Sequence, residues 1–408
     1  MPKVKTLKSL ANRIAKKKNK TLKLAILIGQ LSYYGGVGIA AVNEVRELRK
    51  LGVQAELVVL FRKTGFDSQK IFGASDIPIV FLSDYLPKFL RINFKFPFFS
   101  FFSFFHVSSI FWAPFLIKKN QYNFIIVHET YNCFSAIVSA KFAKAKVISY
   151  VWDPISYIVP RIYGKGILKH FLSPIKTIAG FFDGIILKNS DLIFIGSSLH
   201  EKLLLSINKK AKLIKIPSAT TILKKIPKKR ENFMVALTKW DKGKKPDFLL
   251  EVMKHLDDKV ELVIAGDWPD LELEKNFERK IKDFRLEERV KVVGKVSEEE
   301  KFKLFSQARL LVHPIVEAFG MFALEAAACG CPYILPKNSG VNELFIEGKH
   351  AYFPEEGNVN DFVKYIKILL SDEKKAFNMG YEAWKNAHNY TWEVHAEKIL
   401  NSLYNYFP

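Results

Sequence analysis

The chain of 408 residues is 49% apolar and 25% charged, which excludes intrinsic disorder and a coiled coil; at about 150 residues per domain it favours two or three domains. Its formal net charge of +22 is unevenly placed: residues 1–230 hold 38 Lys/Arg and 11 Asp/Glu, a balance of +27, whereas residues 231–408 hold 25 and 30, a balance of −5. A basic half joined to a mildly acidic one implies that the first half alone meets an anionic partner, either nucleic acid or a membrane surface. Cys133, Cys329 and Cys331 are too few for a disulfide framework and wrongly spaced for a zinc finger, so they read as small residues of a reduced interior.

Residues 1–20 carry eight Lys/Arg, and no acid precedes Glu44. Val4, Leu7, Leu10 and Ile14 fall at helical spacing, which suits an interfacial helix, although a solvated tail fits equally well. The apolar run that follows, 24–28, is too short for a signal-peptide core, and a cytoplasmic protein is expected. Strands are expected at 22–28, 55–60, 77–82, 124–127, 146–151 and 192–195, with helices between them, the first over 39–51 and stopped by Gly52. Residues 217–230 hold two prolines and Lys224, Lys225, Lys228, Lys229 and Arg230, with little that builds a core, and read as the domain boundary. Strands then recur at 233–237, 260–265, 290–293, 310–312 and 333–335, before a closing segment, 381–404, of one or two helices. This alternation implies an α/β chain with two Rossmann-like, doubly wound parallel-sheet domains. Two such domains facing a cleft bind their ligand outside the carboxyl ends of the strands.

The residues at those ends carry the chemistry. A strand ending near His313 leads through a loop with Glu317 to a helix that opens at Gly320 and stops at Gly330 and Pro332. That helix is otherwise apolar or small, so Glu325 is a buried carboxylate in need of a partner: a sugar diol or a nearby lysine. The N–H groups of Phe319, Gly320, Met321 and Phe322 form an anion site at the positive end of the helix dipole. Lys239 and Lys245 flank a turn after a strand and are placed either to converge on a diphosphate or to sit in a solvated basic loop. His128 ends a buried strand, as a ligand-facing or a structural imidazole. Gly35 and Gly36 open the first helix and allow close approach of a phosphate or sugar. Residues 36–41 formally fit G-x-G-x-x-A, but the second strand ends at Leu60, Phe61 and Arg62 without the ribose-binding acid of a dinucleotide fold. There is no G-x-x-x-x-G-K-[ST] loop and no Asp-x-Asp pair, so neither a cofactor nor a metal is expected, and charge neutralisation falls to lysines and helix dipoles.

In these residues the chain resembles glycosyltransferase family 4 (glycosyl transferases group 1), retaining nucleotide-sugar transferases of GT-B fold. The most specific match is Glu317 and Glu325 with seven residues between them, followed by a small-residue helix ending at Gly330, Cys331 and Pro332. The pairs Gly35 with Gly36 and His128 with Glu129, the run Ala265, Gly266 and Asp267, and residues 293–297 support it. The resemblance implies a basic tail or interfacial helix at 1–20, an acceptor domain at 21–220, a nucleotide-sugar domain at 221–385, and a helix at 386–408 that crosses back onto the first domain. It implies Glu317 on the donor sugar's hydroxyls, His128 beside the transferred sugar, and Glu325 on the ribose. Phe319 to Phe322, Gly35, Gly36, Lys239 and Lys245 would face the sugar and diphosphate, and the backbone at Val296 the base. Lys239 stands where the family has arginine, which removes a bidentate phosphate contact. Because Lys242 and Gly243 also resemble the family's Lys–Gly pair, the second diphosphate lysine is Lys242 or Lys245.

The phenylalanine-rich residues 94–119 raise the question of a membrane span, but Pro97, His106 and Pro114 favour a packed helix with an exposed aromatic face. With the basic, aromatic stretch 161–188, it suits lipid headgroups better than nucleic acid, which requires aromatics along a basic groove. The expected reaction moves a hexose-type sugar from a nucleotide-sugar to a lipid-linked saccharide, polyprenyl-lipid or glycan acceptor at an anionic membrane, on its cytoplasmic face. A soluble glucan or small-molecule glycosyltransferase and an NAD(P)-dependent oxidoreductase are the alternatives.

Overall fold

The structure is a computed structural model that describes residues 22–31, 35–63, 73–96, 99–163 and 172–407. The basic segment 1–20 and parts of the stretches 94–119 and 161–188 lie outside the described residues. The chain divides into two compact units, residues 1–218 with 392–408, and residues 219–391.

In the first unit, strands β1 (Lys23–Ile28), β2 (Gln54–Val59) and β3 (Ile79–Phe81) are followed by a short hairpin, β4 (Lys95–Phe96) and β5 (Phe99–Ser103). Strands β6 (Phe124–His128), β7 (Lys146–Val151), β8 (Leu192–Ile195) and β9 (Leu213–Lys215) complete it. Seven strands form one parallel sheet in the order β3-β2-β1-β6-β7-β8-β9. All of β6 and all but the first residue of β1 are buried, so these strands read as continuous apolar runs without alternation. Helix α1 (Gly36–Lys50) follows β1, α2 (Phe104–Lys118) precedes β6, and α3 (Cys133–Ala143) follows it. Helices α4 (Ile155–Tyr163), α5 (Leu172–Asn189) and α6 (Ser198–Ile207) complete the layers.

The second unit carries β10 (Phe233–Leu237), α7 (Asp247–Met253), β11 (Glu261–Ala265), α8 (Leu271–Asp283), β12 (Val290–Gly294) and α9 (Glu298–Gln307). These are followed by β13 (Leu310–Val312), α10 (Met321–Ala328), β14 (Tyr333–Ile334), β15 (Ala351–Tyr352), α11 (Val359–Ser371) and α12 (Glu373–Ala387). The six strands form a parallel sheet in the order β12-β11-β10-β13-β14-β15. The final helix, α13 (Trp392–Tyr406), belongs to the first unit. Its Ala396, Ile399, Leu400 and Leu403, at i, i+3, i+4 and i+7, enter the core that holds Val45 and Leu48 of α1.

The stretch 217–230 departs from the expected core-free linker: Ser218, Ala219 and Thr220 are buried, and Ile222 and Leu223 pack on the core of the second unit. Arg230 is buried, and its guanidinium donates to the carbonyls of Phe305, Ser306, Ala308 and Cys329. These lie where α9 and α10 end, so one cation satisfies the orphan carbonyls of two helix C-termini. Among the described residues, no helix is long and apolar enough to cross a membrane. Of the phenylalanine-rich stretch 94–119 only Phe104–Lys118 is the expected helix, α2; its first part is instead the β4–β5 hairpin.

Strand order places the sites. Chain direction across the sheet reverses between β1 and β6 in the first unit and between β10 and β13 in the second. The carboxyl ends of such strand pairs are where open α/β sheets bind ligands. Beside the second switch point the ends of β10, β11 and β12 are fastened together: the Gly266 N–H donates to Gly294 O at 2.7 Å, and the Trp240 N–H to Asp267 O at 2.8 Å. Gly266 has φ +123°, and a β-carbon there would stand 1.8 Å from the Thr238 carbonyl oxygen. Gly266→Ala is therefore expected to lower stability by more than about 2 kcal/mol, read as a fall in the denaturant midpoint.

Candidate functional site

In the second unit the loop after β13 brings Glu317 back toward its own strand. The Glu317 Oε1 accepts from His313 Nε2 at 2.8 Å and from the Lys244 ammonium. The loop is pinned from behind, because the Glu317 N–H donates to Ser339 Oγ at 3.1 Å and the Gly340 N–H to Glu317 O at 3.0 Å. Burial alone would raise the Glu317 carboxyl; the Lys244 ammonium and His313 outweigh it and hold the group down at about 2. His313 is fully buried, and burial pushes its imidazole below the ordinary range. The neutral ring donates from Nε2, while among the described residues its buried Nδ1 has no partner.

Lys244 was not among the lysines expected to matter. Asp241 accepts from the Gly243 N–H at 2.8 Å and starts a 3₁₀ turn over Lys242–Lys244, and this turn aims the third lysine at Glu317. Neither of the two expected alternatives reaches that carboxylate: Lys242 pairs with Asp270 at 3.2 Å and Lys245 with Glu356 at 2.8 Å. Lys239 is exposed at the carboxyl end of β10, held there by its neighbour Trp240, whose buried Nε1–H donates to Ala265 O.

Helix α10 begins one residue after Gly320, which adopts φ +97°, has no side-chain cap, and is followed by a first turn without an acid. Its N-terminal amides, at Met321 and Phe322, therefore carry the positive end of the dipole uncompensated by side-chain charge. Phe319 and Gly320 lead into the turn, and the Val341 N–H on the Phe319 carbonyl at 2.8 Å fixes them. Glu325 sits one helical face away and is buried, with Lys301 Nζ on its Oε1 at 2.7 Å. The nearby-lysine partner is thus present. Lys301 is also gripped by Glu298 at 2.9 Å, and the two carboxylates hold its ammonium above the ordinary range against burial. Val296 is half-buried in the loop between Gly294, at φ +65°, and Ser297, the N-cap of α9.

The first unit builds its switch point around a different carboxylate. Glu44 lies on α1 in the stripe Ala40, Glu44 and Leu48, and it is wholly buried. His128 Nε2 meets its Oε2 at 2.8 Å, and His395 Nε2 of α13 meets its Oε1 at 2.9 Å. The Trp152 indole donates to His128 Nδ1 at 2.9 Å, so His128 donates to Glu44 from Nε2. His395 stands between two acceptors, Glu44 Oε1 and Pro217 O at 2.9 Å. Burial would raise the Glu44 carboxyl, but His128 and His395 bring it down to about 2. Both nitrogens of His128 are thus committed inside the unit. Beside it, Glu129 adopts φ +67°, and its Oε2 accepts from the Gly29 N–H at 3.1 Å and Asn132 Nδ2 at 2.7 Å. Gly35 caps α1 with open space around it, and Gly36 is the first helical residue.

Residues 218–386 match the family described as glycosyl transferases group 1. This segment belongs to that family. Among curated relatives, the chain is 26% identical over 173 residues to the N-acetyl-alpha-D-glucosaminyl L-malate synthase of Bacillus anthracis, covering 42% of this chain and 44% of that one. It is 26% identical over 147 residues to the N-acetylgalactosamine-N,N'-diacetylbacillosaminyl-diphospho-undecaprenol 4-alpha-N-acetylgalactosaminyltransferase of Campylobacter jejuni, covering 36% and 39%. The chain thus spans about two fifths of the length of these relatives. In structure it is similar to Anabaena HepE, solved with UDP and glucose, at TM-score 0.73 and 15% identity over 94% of this chain and all of that one. That likeness shows the fold, GT-B. The group 1 segment contains Glu317, Glu325, Lys239, Lys244 and the N-terminus of α10.

Two stability tests follow from the buried carboxylates. Lys244→Met leaves Glu317 with His313 alone and should cost about 2–4 kcal/mol, whereas adding Glu317→Gln should return a measurable part of that loss in a double-mutant cycle. Glu44 and Glu317 both have folded pKa values of about 2 against an ordinary 4.5. Their contribution is complete above pH 4.5 and is lost as pH falls toward 2, on the order of 3 kcal/mol for each. Buried His106, His200 and His313, all held below the ordinary imidazole range, lower the urea midpoint from about pH 6.5 downward; below pH 4.5 the further fall should be smaller in Glu44→Gln than in the wild type.

Proposed function

We propose that the protein is a retaining glycosyltransferase that moves a hexose-type sugar from a nucleotide-sugar to a lipid-linked saccharide, polyprenyl-lipid or glycan acceptor. Its setting is the cytoplasmic face of an anionic membrane, met through the basic half of the chain. The observation that carries the reading is the ionised Glu317, beside Lys244 and ahead of the uncapped α10 N-terminus, at the carboxyl end of β13. HepE was solved with UDP and glucose, and the Campylobacter relative acts on an undecaprenol-linked diphosphate, which supports a sugar-nucleotide donor and a lipid-linked acceptor.

In this reading the bond between the anomeric carbon and the diphosphate oxygen breaks and its electron pair leaves with the diphosphate; the acceptor's hydroxyl oxygen bonds to the anomeric carbon from the same face, and its proton passes to the departing diphosphate. The Met321 and Phe322 amides and the exposed Lys239 take up that negative charge as it develops, usually the largest catalytic contribution. The Glu317 carboxylate faces the sugar, accepts from its hydroxyls, and stabilises the positive charge of an oxocarbenium-like transition state. Glu325 accepts from the ribose, with Lys301 Nζ on its Oε1 opposing the burial that raises its carboxyl. The backbone at Val296 faces the base. In the first unit both ring nitrogens of His128 are committed, so it holds the shape of its strand end rather than transferring a proton.

A thermal-shift and turnover screen of UDP-, GDP- and ADP-sugars beside NAD(P)H tests this directly. At least one sugar nucleotide should stabilise the protein and be turned over with retained anomeric configuration. Glu317→Gln should lower kcat by about a hundredfold or more while the protein stays folded. Full activity in both Glu317→Gln and Lys239→Ala, or stabilisation by NAD(P)H alone, would overturn the assignment.

A further inference from the structure

Helices α2, α3 and α5 lie side by side on one face of the first unit: Phe115 of α2 packs edge-on to Phe142 of α3 at 5.6 Å, and Phe134 of α3 to Phe182 of α5 at 5.8 Å. Their outward residues are not what a solvated helix face carries. Along α2, Val107, Phe111 and Phe115 follow each other at i, i+4 and i+8, all exposed, Phe111 by 72% and Phe115 by 62%. On α5, Ile178, Phe181 and Phe182 are likewise exposed, Phe181 by 66%. A soluble surface scatters large apolar groups singly, whereas this one concentrates them on three adjoining helices.

Charge on the same helices has one sign. Lys118 and Lys119 end α2, Lys141 and Lys144 bracket Phe142, and Lys176 and Lys188 lie on α5, all exposed. The one acid on the three helices, Asp183, is 2% exposed, and its carboxylate accepts from the Ile155 and Ser156 N–H groups at the start of α4. The face therefore shows solvent phenylalanine and ammonium with no counter-charge of its own. A protein partner or a second copy of this basic chain would need carboxylates opposite the lysines and a matched shape. An anionic lipid surface supplies negative charge everywhere and an apolar acyl boundary that takes up the rings.

We propose that the α2–α3–α5 face is the membrane-docking surface of the protein, with Phe111, Phe115 and Phe181 entering the interface and Lys118, Lys119 and Lys144 meeting anionic headgroups. This deepens the functional reading, and rests on it for the anionic membrane and the lipid-linked acceptor, by naming the surface through which they are met.

The full chain should co-sediment with vesicles of phosphatidylglycerol in phosphatidylcholine, weakly with phosphatidylcholine alone, and less as salt rises. Phe111→Ser/Phe115→Ser/Phe181→Ser and, separately, Lys118→Glu/Lys119→Glu/Lys144→Glu should each weaken vesicle binding by about tenfold or more, with the melting temperature and the UDP-induced thermal shift unchanged. Wild-type sedimentation by both variants would overturn the proposal and leave binding to residues 1–20 or elsewhere. No vesicle binding by the wild type, or a dimer that the phenylalanine variant dissolves, would overturn it as well. Loss of vesicle binding in a protein that turns over no sugar nucleotide would uphold this surface and overturn the functional reading instead.

Discussion

A carboxylate taken out of water must be met by cations and donors or it protonates. Each unit of this protein places one where its sheet reverses direction, and much of the site's geometry follows from how that demand is met. Glu317 obtains the Lys244 ammonium and the His313 N–H; Glu44 obtains two histidines. Because each partner comes from a different element, the charge fixes those elements to one another. Lys244 orders the loop after β10, His313 the end of β13, His128 the end of β6, and His395 the final helix.

The two carboxylates do different work. Glu44 is sealed, and His395 joins it both to α13 and to the carbonyl of Pro217, so residues next to both points where the chain passes between units are fastened to the first unit. Glu317 keeps 13% of its side chain exposed beside a helix N-terminus that nothing caps. An anion held against its own neutralisation, next to a dipole that attracts another anion, is poised for a ligand that is cationic at one atom in the transition state and anionic at its leaving group.

Much of this was legible in the sequence, for physical reasons. Buried parallel strands are unbroken apolar runs, so β7, β8, β10 and β13 fall where such runs lie, while β9 and β15 are short edge strands with less to bury. The spacing of Glu317 and Glu325 was visible because a carboxylate inside a run of alanines violates local burial. Lys244 was not, because the side chain chosen from Lys242, Lys244 and Lys245 depends on the 3₁₀ turn begun by Asp241, and composition treats the three alike. Lys301 hid in a helix that opens with three glutamates and looks solvated; its burial is set by Glu325, from another helix. Glu44 did leave a signal, as an acid on the apolar stripe between Ala40 and Leu48. Arg230 shows the converse: a basic residue closing a lysine-rich stretch serves helix carbonyls that lie far off in sequence.

If Lys244 keeps Glu317 ionised for reaction with a sugar nucleotide, the pH profiles of turnover in the wild type and in Lys244→Met must differ. The wild type should keep its turnover down to pH 4.5, the ordinary value of a glutamate, and the acid limb of the variant should be displaced to higher pH, with a lower plateau. Superimposable profiles of equal height would contradict it.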